Sequence, residues 1–376
     1  MKPDSDLRNN LKSIRTRLGL SQQDLANLAG VTRQTISGVE SGQSAPSVAM
    51  TLRLASALGC HVEDLFWFEQ ELPEVEAILA KSISYNQKQR VSLARIGGQW
   101  IAYPLVGRDA FRVEMIPADG EVNSLSSRNT VRVRLLDDID KLHNTVVIAG
   151  CAPVLSLWAR ATERWYPQLR VQHNFANSMA ALHSLCRGEA HIAGMHLYDP
   201  ETGEHNTPFV REVLGGREAV LITLGVWEEG LLVESGNPMG IKTVTDLVEA
   251  KAMIVNRELG AGTRMLLERK LQEEELPFHA VEGFNRIVKS HQDVAEAVVS
   301  GIANAGISTA SIAASFGLGF VPLHSSRYDL VILKQYLEEA PVQQLLGTLG
   351  NRLVHSQLEV IGGYDTSKTG DVVATI

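Results

Sequence analysis

The spacing of apolar residues changes twice along this chain, so no single repeating architecture accounts for all of it. In the first stretch Leu7, Leu11, Ile14 and Leu18 recur at helical spacing, one face of an amphipathic helix that ends near Gly19. Near residue 91 the period becomes two: Val91, Leu93, Arg95 and Gln99, Ile101, Tyr103 flank Gly97-Gly98, the signal of a two-residue hairpin. From Thr145 onward apolar runs alternate with helical stretches, the pattern of open α/β sheets. The expected organisation is multidomain: an all-α bundle over 1–68, a linker and small β module over 69–140, and a two-lobed α/β region over 141–376.

The first 68 residues are the most explicit. Ser21-Gln22-Gln23-Asp24 is a capping-box pattern that opens a second helix running through Leu28, and Gly30 supplies a tight turn after it. Thr32 suits the N-cap of a third helix over 33–40, with Ile36 and Val39 facing inward. Pro46-Ser47 starts a fourth with Val48, Leu52, Ala55 and Leu58 on its buried side, and a last short helix is expected near Val62–Phe66. Two short helices joined by a Gly turn inside a small bundle make a helix-turn-helix. The string LSQQDLANLAGVTRQTISGVESGQSAPS closely resembles the lambda-repressor/Cro-like family, also called the xenobiotic-response-element type, and the likeness covers residues 7–66. It implies that the helix from Arg33 is the recognition helix. Arg33, Gln34, Thr35 and Ser37 would then face base edges in the major groove, where Arg matches guanine and Gln matches adenine. Gln22, at the start of the second helix, would hold a phosphate, and Thr32 would cap and touch the backbone. Glu40 is expected to orient a neighbour, and Gly38 stands where a helix normally avoids glycine.

The middle segment carries no chemistry. Glu69–Lys81 reads as a connector, partly helical, and three or four strands are expected, including Phe111–Ile116 and Val131–Leu136. Ala118–Asn129 reads as a polar loop.

In the last region, Thr145–Ala149, Val171–Phe175, His191–Gly194, Ala252–Val255 and Ile302–Ala305 read as strands. Helices are expected at Pro153–Trp165, Ser178–Arg187, Thr263–Gln272 and Asp293–Ser300, and segments 197–240 and 323–334 would carry the chain between two lobes. Three stretches sharpen this: Gly194-Met-His-Leu-Tyr-Asp-Pro-Glu-Thr-Gly-Glu-His-Asn206, Asn256-Arg-Glu-Leu-Gly-Ala-Gly-Thr-Arg264 and Ser326-Arg-Tyr-Asp-Leu330. They resemble the type II periplasmic-binding-protein-like domain found on helix-turn-helix regulators and molybdenum-cofactor biosynthesis proteins, over about residues 145–340. That resemblance implies a small oxyanion effector of the molybdate or tungstate kind. Ligands of open α/β lobes sit beyond the carboxyl ends of the strands, at helix N-termini. The candidate ligand-binding residues are therefore Cys151, Asn177, Ser178, His196, Gly262, Thr263 and Arg264. The turn Gly260–Arg264 is the best anion cradle, combining glycines, a hydroxyl and a cation. It is not a Walker loop. Where relatives carry a hydroxyl after the first strand, this chain has Cys151-Ala152, a weak S–H donor. Cys151, Met195 and His196, all at strand ends that should face the cleft, offer one alternative, a soft-metal site for copper(I) or a redox sensor. A separate alternative is an enzyme of molybdenum-cofactor or sulfur metabolism acting through the cleft, which would need a catalytic constellation that the sequence does not show.

Charge separates the parts. Residues 1–68 carry seven Lys and Arg against six Asp and Glu, whereas the other 308 carry 28 against 37, for a net −8. A coating nucleic-acid binder would be basic throughout. Three cysteines do not make a disulfide framework or a CxxC zinc site, no paired-ligand histidine spacing is present, and no nucleophile, base and orienter stand at recognisable spacing. No apolar run is long enough for a membrane span and the charged N-terminus is unlike a signal peptide. The expectation is a cytoplasmic, non-enzymatic regulator with no resident cofactor or metal. It would bind a palindromic double-stranded DNA operator as a homodimer and a small-molecule effector in its cleft.

Overall fold

The computed structural model describes residues 7–68, 73–80, 89–111, 115–127, 129–136 and 138–376. The chain divides into two compact units, Met1–Pro73 and Glu74–Ile376.

Helices Leu11–Arg17, Gln22–Ala29, Arg33–Glu40, Val48–Leu58 and Val62–Leu65 build the first unit around Leu11, Leu25, Ile36, Leu54 and Leu65. The capping box forms as spaced: Ser21 accepts from Asp24 N while the Asp24 carboxylate accepts from Ser21 N. Gly30 takes the left-handed conformation that ends the second helix. Two expectations are corrected. The first helix begins at Leu11, because Asn9 diverts the backbone: its side-chain oxygen accepts from Leu11 N and its amide donates to Val39 O. Leu7–Asn9 instead pairs as a strand with Phe66–Phe68. On the fourth helix Val48 and Leu52 are 78% and 57% exposed; Leu54, Ala55 and Leu58 form the buried stripe.

The second unit begins with a barrel. Five strands close in the order Glu74–Leu79, Gln99–Pro104, Arg90–Ile96, Gly120–Leu125, Thr130–Leu135. The hairpin at Gly97-Gly98 forms with both glycines at positive φ, as a primed turn requires. The expected connector holds the strand Glu74–Leu79, in which Val75 and Ala77 face inward between exposed Glu74 and Glu76; residues 69–72 and 81 lie outside the described residues. The expected polar loop holds Gly120–Leu125. Of the strand expected at 111–116, residues 112–114 lie outside the described residues, and Phe111 and Met115 make only an isolated bridge. Closure gives each strand a neighbour on both sides, although Arg90–Ile96 meets Gly120–Leu125 only at Arg90 and Val91, and beyond them the backbone of Leu93 is met by the Asp119 carboxylate and the Arg170 side chain.

The barrel docks on both α/β lobes. Ile96, Ile101 and Tyr103 join the apolar core of the first lobe. Arg170 reaches back to Asp119 (2.5 Å) and Thr145 (3.0 Å), and the Tyr103 hydroxyl donates to Glu189 O. Arg108 forks onto both carboxylate oxygens of Asp293, on the second lobe.

One ten-stranded sheet runs through both lobes. The parallel strands Thr145–Gly150, Arg170–Phe175 and Ile192–Met195 belong to the first lobe and Ile254–Arg257, Ile287–Val288 and Ala305–Thr309 to the second; Thr145–Gly150, Ile192–Met195, Ile254–Arg257 and Ala305–Thr309 are buried throughout. The two are joined by the antiparallel strands Ala219–Val233 and Gly319–Leu333, whose pairing is interrupted at Thr223/Gly225 and Glu229/Gly230, where the lobes meet. The sequence placed one second-lobe strand three residues early: Ile302 is exposed and pairing starts at Ala305.

Candidate functional site

In the helical unit the Thr32 side chain caps the helix Arg33–Glu40 by accepting from Thr35 N (3.1 Å), and its hydroxyl lies 2.8 Å from that of Thr35. Arg33, Gln34 and Ser37 are exposed on one face, Thr35 is half-buried, and Ile36 and Val39 face the core. Gln22 donates to Glu40 Oε2 (2.8 Å), while Arg15 Nε donates to Glu40 Oε1 (2.6 Å). Glu40 therefore ties the first two helices to the end of the third. Burial alone would raise its pKa, but Arg15 and Gln22 outweigh this and hold it below the usual carboxylate value. A depressed carboxylate stabilises the fold above its unfolded pKa and loses that contribution as pH falls through the folded one. Arg15→Ala is expected to cost about 2 kcal/mol at neutral pH, since it leaves a buried carboxylate half-paired. The cost should shrink in acid as Glu40 takes a proton. Amide exchange across residues 25–39 measures it, and protection equal to wild type at pH 7 would remove the assignment.

The second site lies between the α/β lobes. Cys151 follows the strand Thr145–Gly150 and is buried, with Sγ 3.3 Å from His196 Nε2. His196 follows the strand Ile192–Met195, and its backbone N–H donates to Ser178 Oγ (3.2 Å). Its other ring nitrogen, Nδ1, lies 2.6 Å from Glu229 Oε1, and Glu229 Oε2 accepts from Ser326 (2.6 Å). Trp227, Tyr328 and His291 surround the imidazole at ring distances of 4.8, 5.7 and 5.9 Å. Burial would lower the His196 pKa, but Glu229 and Cys151 outweigh it and push it up to about 10. Glu229 is correspondingly held down, against its burial, by His196 and Ser326. Burial and then Arg257 push His291 well down, so it is neutral at physiological pH.

Several buried polar atoms here have no protein partner: Arg257 Nη1, Thr263 Oγ1, Trp227 Nε1 and His291 Nε2. Arg257 is fully buried at the end of Ile254–Arg257; its Nε and Nη2 engage Glu258 and Lys289 O, leaving Nη1 unused. Thr263 sits in the first turn of the helix Gly262–Glu273, whose backbone N–H groups point out of that end. Arg264 is turned elsewhere: it donates to Glu268 (2.8 Å) and Arg257 O and lies over the Phe284 ring.

The lobes are clasped around these groups. Asn177 caps the helix Ser178–Cys186 by accepting from Ala180 N, and its amide reaches across to Glu258 Oε1 (3.1 Å) and Leu259 O (3.2 Å). Met179 N donates to Gly260 O. Gly262 has to be glycine: a Cβ there would sit 2.7 Å from two atoms of the His196 ring. Gly262→Ala is expected to destabilise the clasped form by about 1–3 kcal/mol. The readout is a larger radius of gyration in X-ray scattering and faster amide exchange at 257–263; unchanged values would refute the contact.

The PBP superfamily domain family matches residues 159–350, more than half of the chain, and a helix-turn-helix family matches residues 11–65. The uncharacterized HTH-type transcriptional regulator YgzD of Bacillus subtilis (strain 168) is 40% identical over 65 residues, covering 17% of this chain and 98% of that one. The chain is a helix-turn-helix protein carrying a PBP-superfamily domain. The uncharacterized protein YvgK of the same strain is 35% identical to this helix-turn-helix–PBP protein over 199 residues, 53% of it. The chain spans 64% of the length of YvgK. Among solved structures, an ABC-type phosphate transport receptor from Vibrio cholerae covers 58% of this chain and 98% of its own at 15% identity and TM-score 0.40. The CcmR regulatory domain of Synechocystis PCC6803 in complex with 2-PG covers 55% and 98% at 12% identity and TM-score 0.43. At those scores neither likeness bears on the ligand.

In this helix-turn-helix–PBP protein the structure brings together Cys151, Ser178, His196, Gly262 and Thr263, with Asn177 at the lobe contact. Met195 is fully buried in the apolar core of the first lobe, the cluster that also holds Cys151. Glu229, Arg257, His291 and Trp227 were not anticipated. Arg257 stood inside the 256–264 stretch but before its glycine turn; the others carry no local signal. Cys151, His196 and Glu229, which no spacing in the sequence groups, are brought into one line of contacts. Among the described residues no helix is long and apolar enough to cross a membrane.

Proposed function

We propose that this chain is a cytoplasmic one-component transcription regulator whose interlobe cleft binds a small tetrahedral oxyanion of the molybdate or tungstate kind. The helical unit reads a palindromic operator as a homodimer, with half-sites about one helical turn, ~34 Å, apart. The anion reading is carried by two donors buried without a partner, Thr263 Oγ1 in the first turn of Gly262–Glu273 and Arg257 Nη1 on the strand that leads into that turn. Unmet buried donors cost free energy, and an anion at a helix N-terminus satisfies both while meeting the positive end of the dipole. The surrounding domain is acidic, so this local field has to do the attracting. Binding shifts DNA affinity only as far as the anion distinguishes the clasped from the opened lobes, typically about 1–3 kcal/mol. Calorimetric titration with molybdate, tungstate, sulfate and phosphate, paired with operator mobility shifts, tests this. No heat from any of them, with unchanged operator affinity, would end the oxyanion reading.

A second reading is a thiol-dependent enzyme, favoured by the Cys151–His196–Glu229 order, which is that of nucleophile, base and orienter. Turnover that survives removal of residues 1–68 would favour it over the regulator.

A further inference from the structure

The thiol of Cys151 and the imidazoles of His196 and His291 converge from three separate stretches of chain, and their ligand atoms all lie within 4.8 Å of one another. Each histidine is held by the nitrogen that faces away from this point. His196 Nδ1 lies against Glu229, itself fixed by Ser326, and His291 Nδ1 lies 2.9 Å from Ser308 Oγ. His291 is 1% exposed, and its Nε2 has no partner. An anchored nitrogen on one side and a free one on the other is how metal-bound histidines are oriented, with a carboxylate or hydroxyl behind the ring. An anion cradle alone explains neither the thiol nor this back-side support.

We infer that Cys151, His196 and His291 form a binding site for one thiophilic closed-shell metal ion, zinc(II) or copper(I). A thiolate with two imidazoles suits these ions, whereas magnesium and calcium take oxygen ligands. Coordination requires the Cys151 thiolate and an unprotonated Nε2 on both His196 and His291, so ion binding releases the protons held on these atoms to solvent. Three protein ligands leave the fourth position of a tetrahedral ion open, the arrangement of sites that exchange a small ligand rather than only brace a fold. The site shares the cleft with the oxyanion reading but does not depend on it, so it is tested without anion or DNA.

Cobalt(II) titrated into the reduced, chelator-stripped full chain is expected to give a thiolate-to-cobalt charge-transfer band in the near ultraviolet that saturates at one ion per chain. Cys151→Ser should remove the band, and Glu229→Gln should weaken binding about 10- to 100-fold by releasing the support behind His196. His291→Asn, a second route should Cys151→Ser fold poorly by circular dichroism, should also weaken it at least tenfold. The double variant Cys60→Ser, Cys186→Ser should leave the band unchanged. Zinc(II) displacing the cobalt, or copper(I) captured anaerobically from a chromogenic chelator with the same dependence on Cys151, decides which ion the site prefers. No band with protein in excess, a band that survives Cys151→Ser, or loss of the band in the Cys60, Cys186 variant would each overturn the assignment.

Discussion

Arg33→Ala and Gln34→Ala should each lower operator affinity about 5- to 150-fold while leaving the fold and the cleft untouched, because a matched side chain on a base edge is worth about 1–3 kcal/mol. Both side chains are exposed on the helix Arg33–Glu40, the proposed recognition helix, whose core contacts are made by Ile36 and Val39 and whose start is capped by Thr32. Truncating them removes base contacts without opening a cavity. The loss should be confined to the operator, with binding to scrambled DNA nearly unchanged at the same salt concentration. Fluorescence anisotropy on both duplexes makes the comparison, and an equal loss on the two would mean that these residues contact phosphate only. Gln22→Ala is a different case. Its amide is engaged with Glu40, so the variant acts through the position of the recognition helix as well as through any phosphate contact.

In the cleft, the largest effect is expected from Arg257→Ala. A hydrogen bond to a charged group is worth about 1.5–3 kcal/mol, so oxyanion affinity should fall about 10- to 150-fold. Arg264→Ala should change it less than about threefold, because the Arg264 guanidinium lies on Glu268 and Phe284. Thr263→Ala should fall between, about 3- to 10-fold, the value of one neutral hydrogen bond. Titration calorimetry with molybdate orders the three, and the opposite order for the two arginines would return the site to the Gly260–Arg264 turn as the sequence suggests it.

That contrast shows where sequence reasoning stopped. The glycine turn and the helix after it were visible in Gly260–Arg264, and the turn is there. Which arginine faces inward was not visible. Arg257 ends a short strand buried along its whole length, so no alternation marks its direction, whereas Arg264 lies in the first turn of a helix with an acidic partner at i+4. Met195 and His196 adjoin in sequence, yet the first fills a core and the second turns into the cleft, because successive residues at a strand end point to opposite sides. The barrel was underestimated for a related reason. Glu74–Leu79 and Gly120–Leu125 are short and half polar, and they become strands by pairing with Thr130–Leu135 rather than by their own propensity.

By itself the sequence determined the local elements: the capping box at Ser21, the left-handed Gly30, the Thr32 cap, the Gly97-Gly98 hairpin and the alternation that makes an α/β domain. These depend on interactions within a few residues, so a linear pattern carries them. The sequence also offered Cys151, Ser178, His196, Gly262 and Thr263 as separate strand-end and helix-start candidates, but which residues join them was decided by the tertiary structure. Cys151, His196, Glu229, Arg257 and His291 stand far apart along the chain. They meet because two 15-residue strands bind both lobes into one sheet and because Gly262 lets the second lobe close onto the His196 ring. Contacts of that range are set by packing and strand order, which leave no periodic trace in the residues that make them.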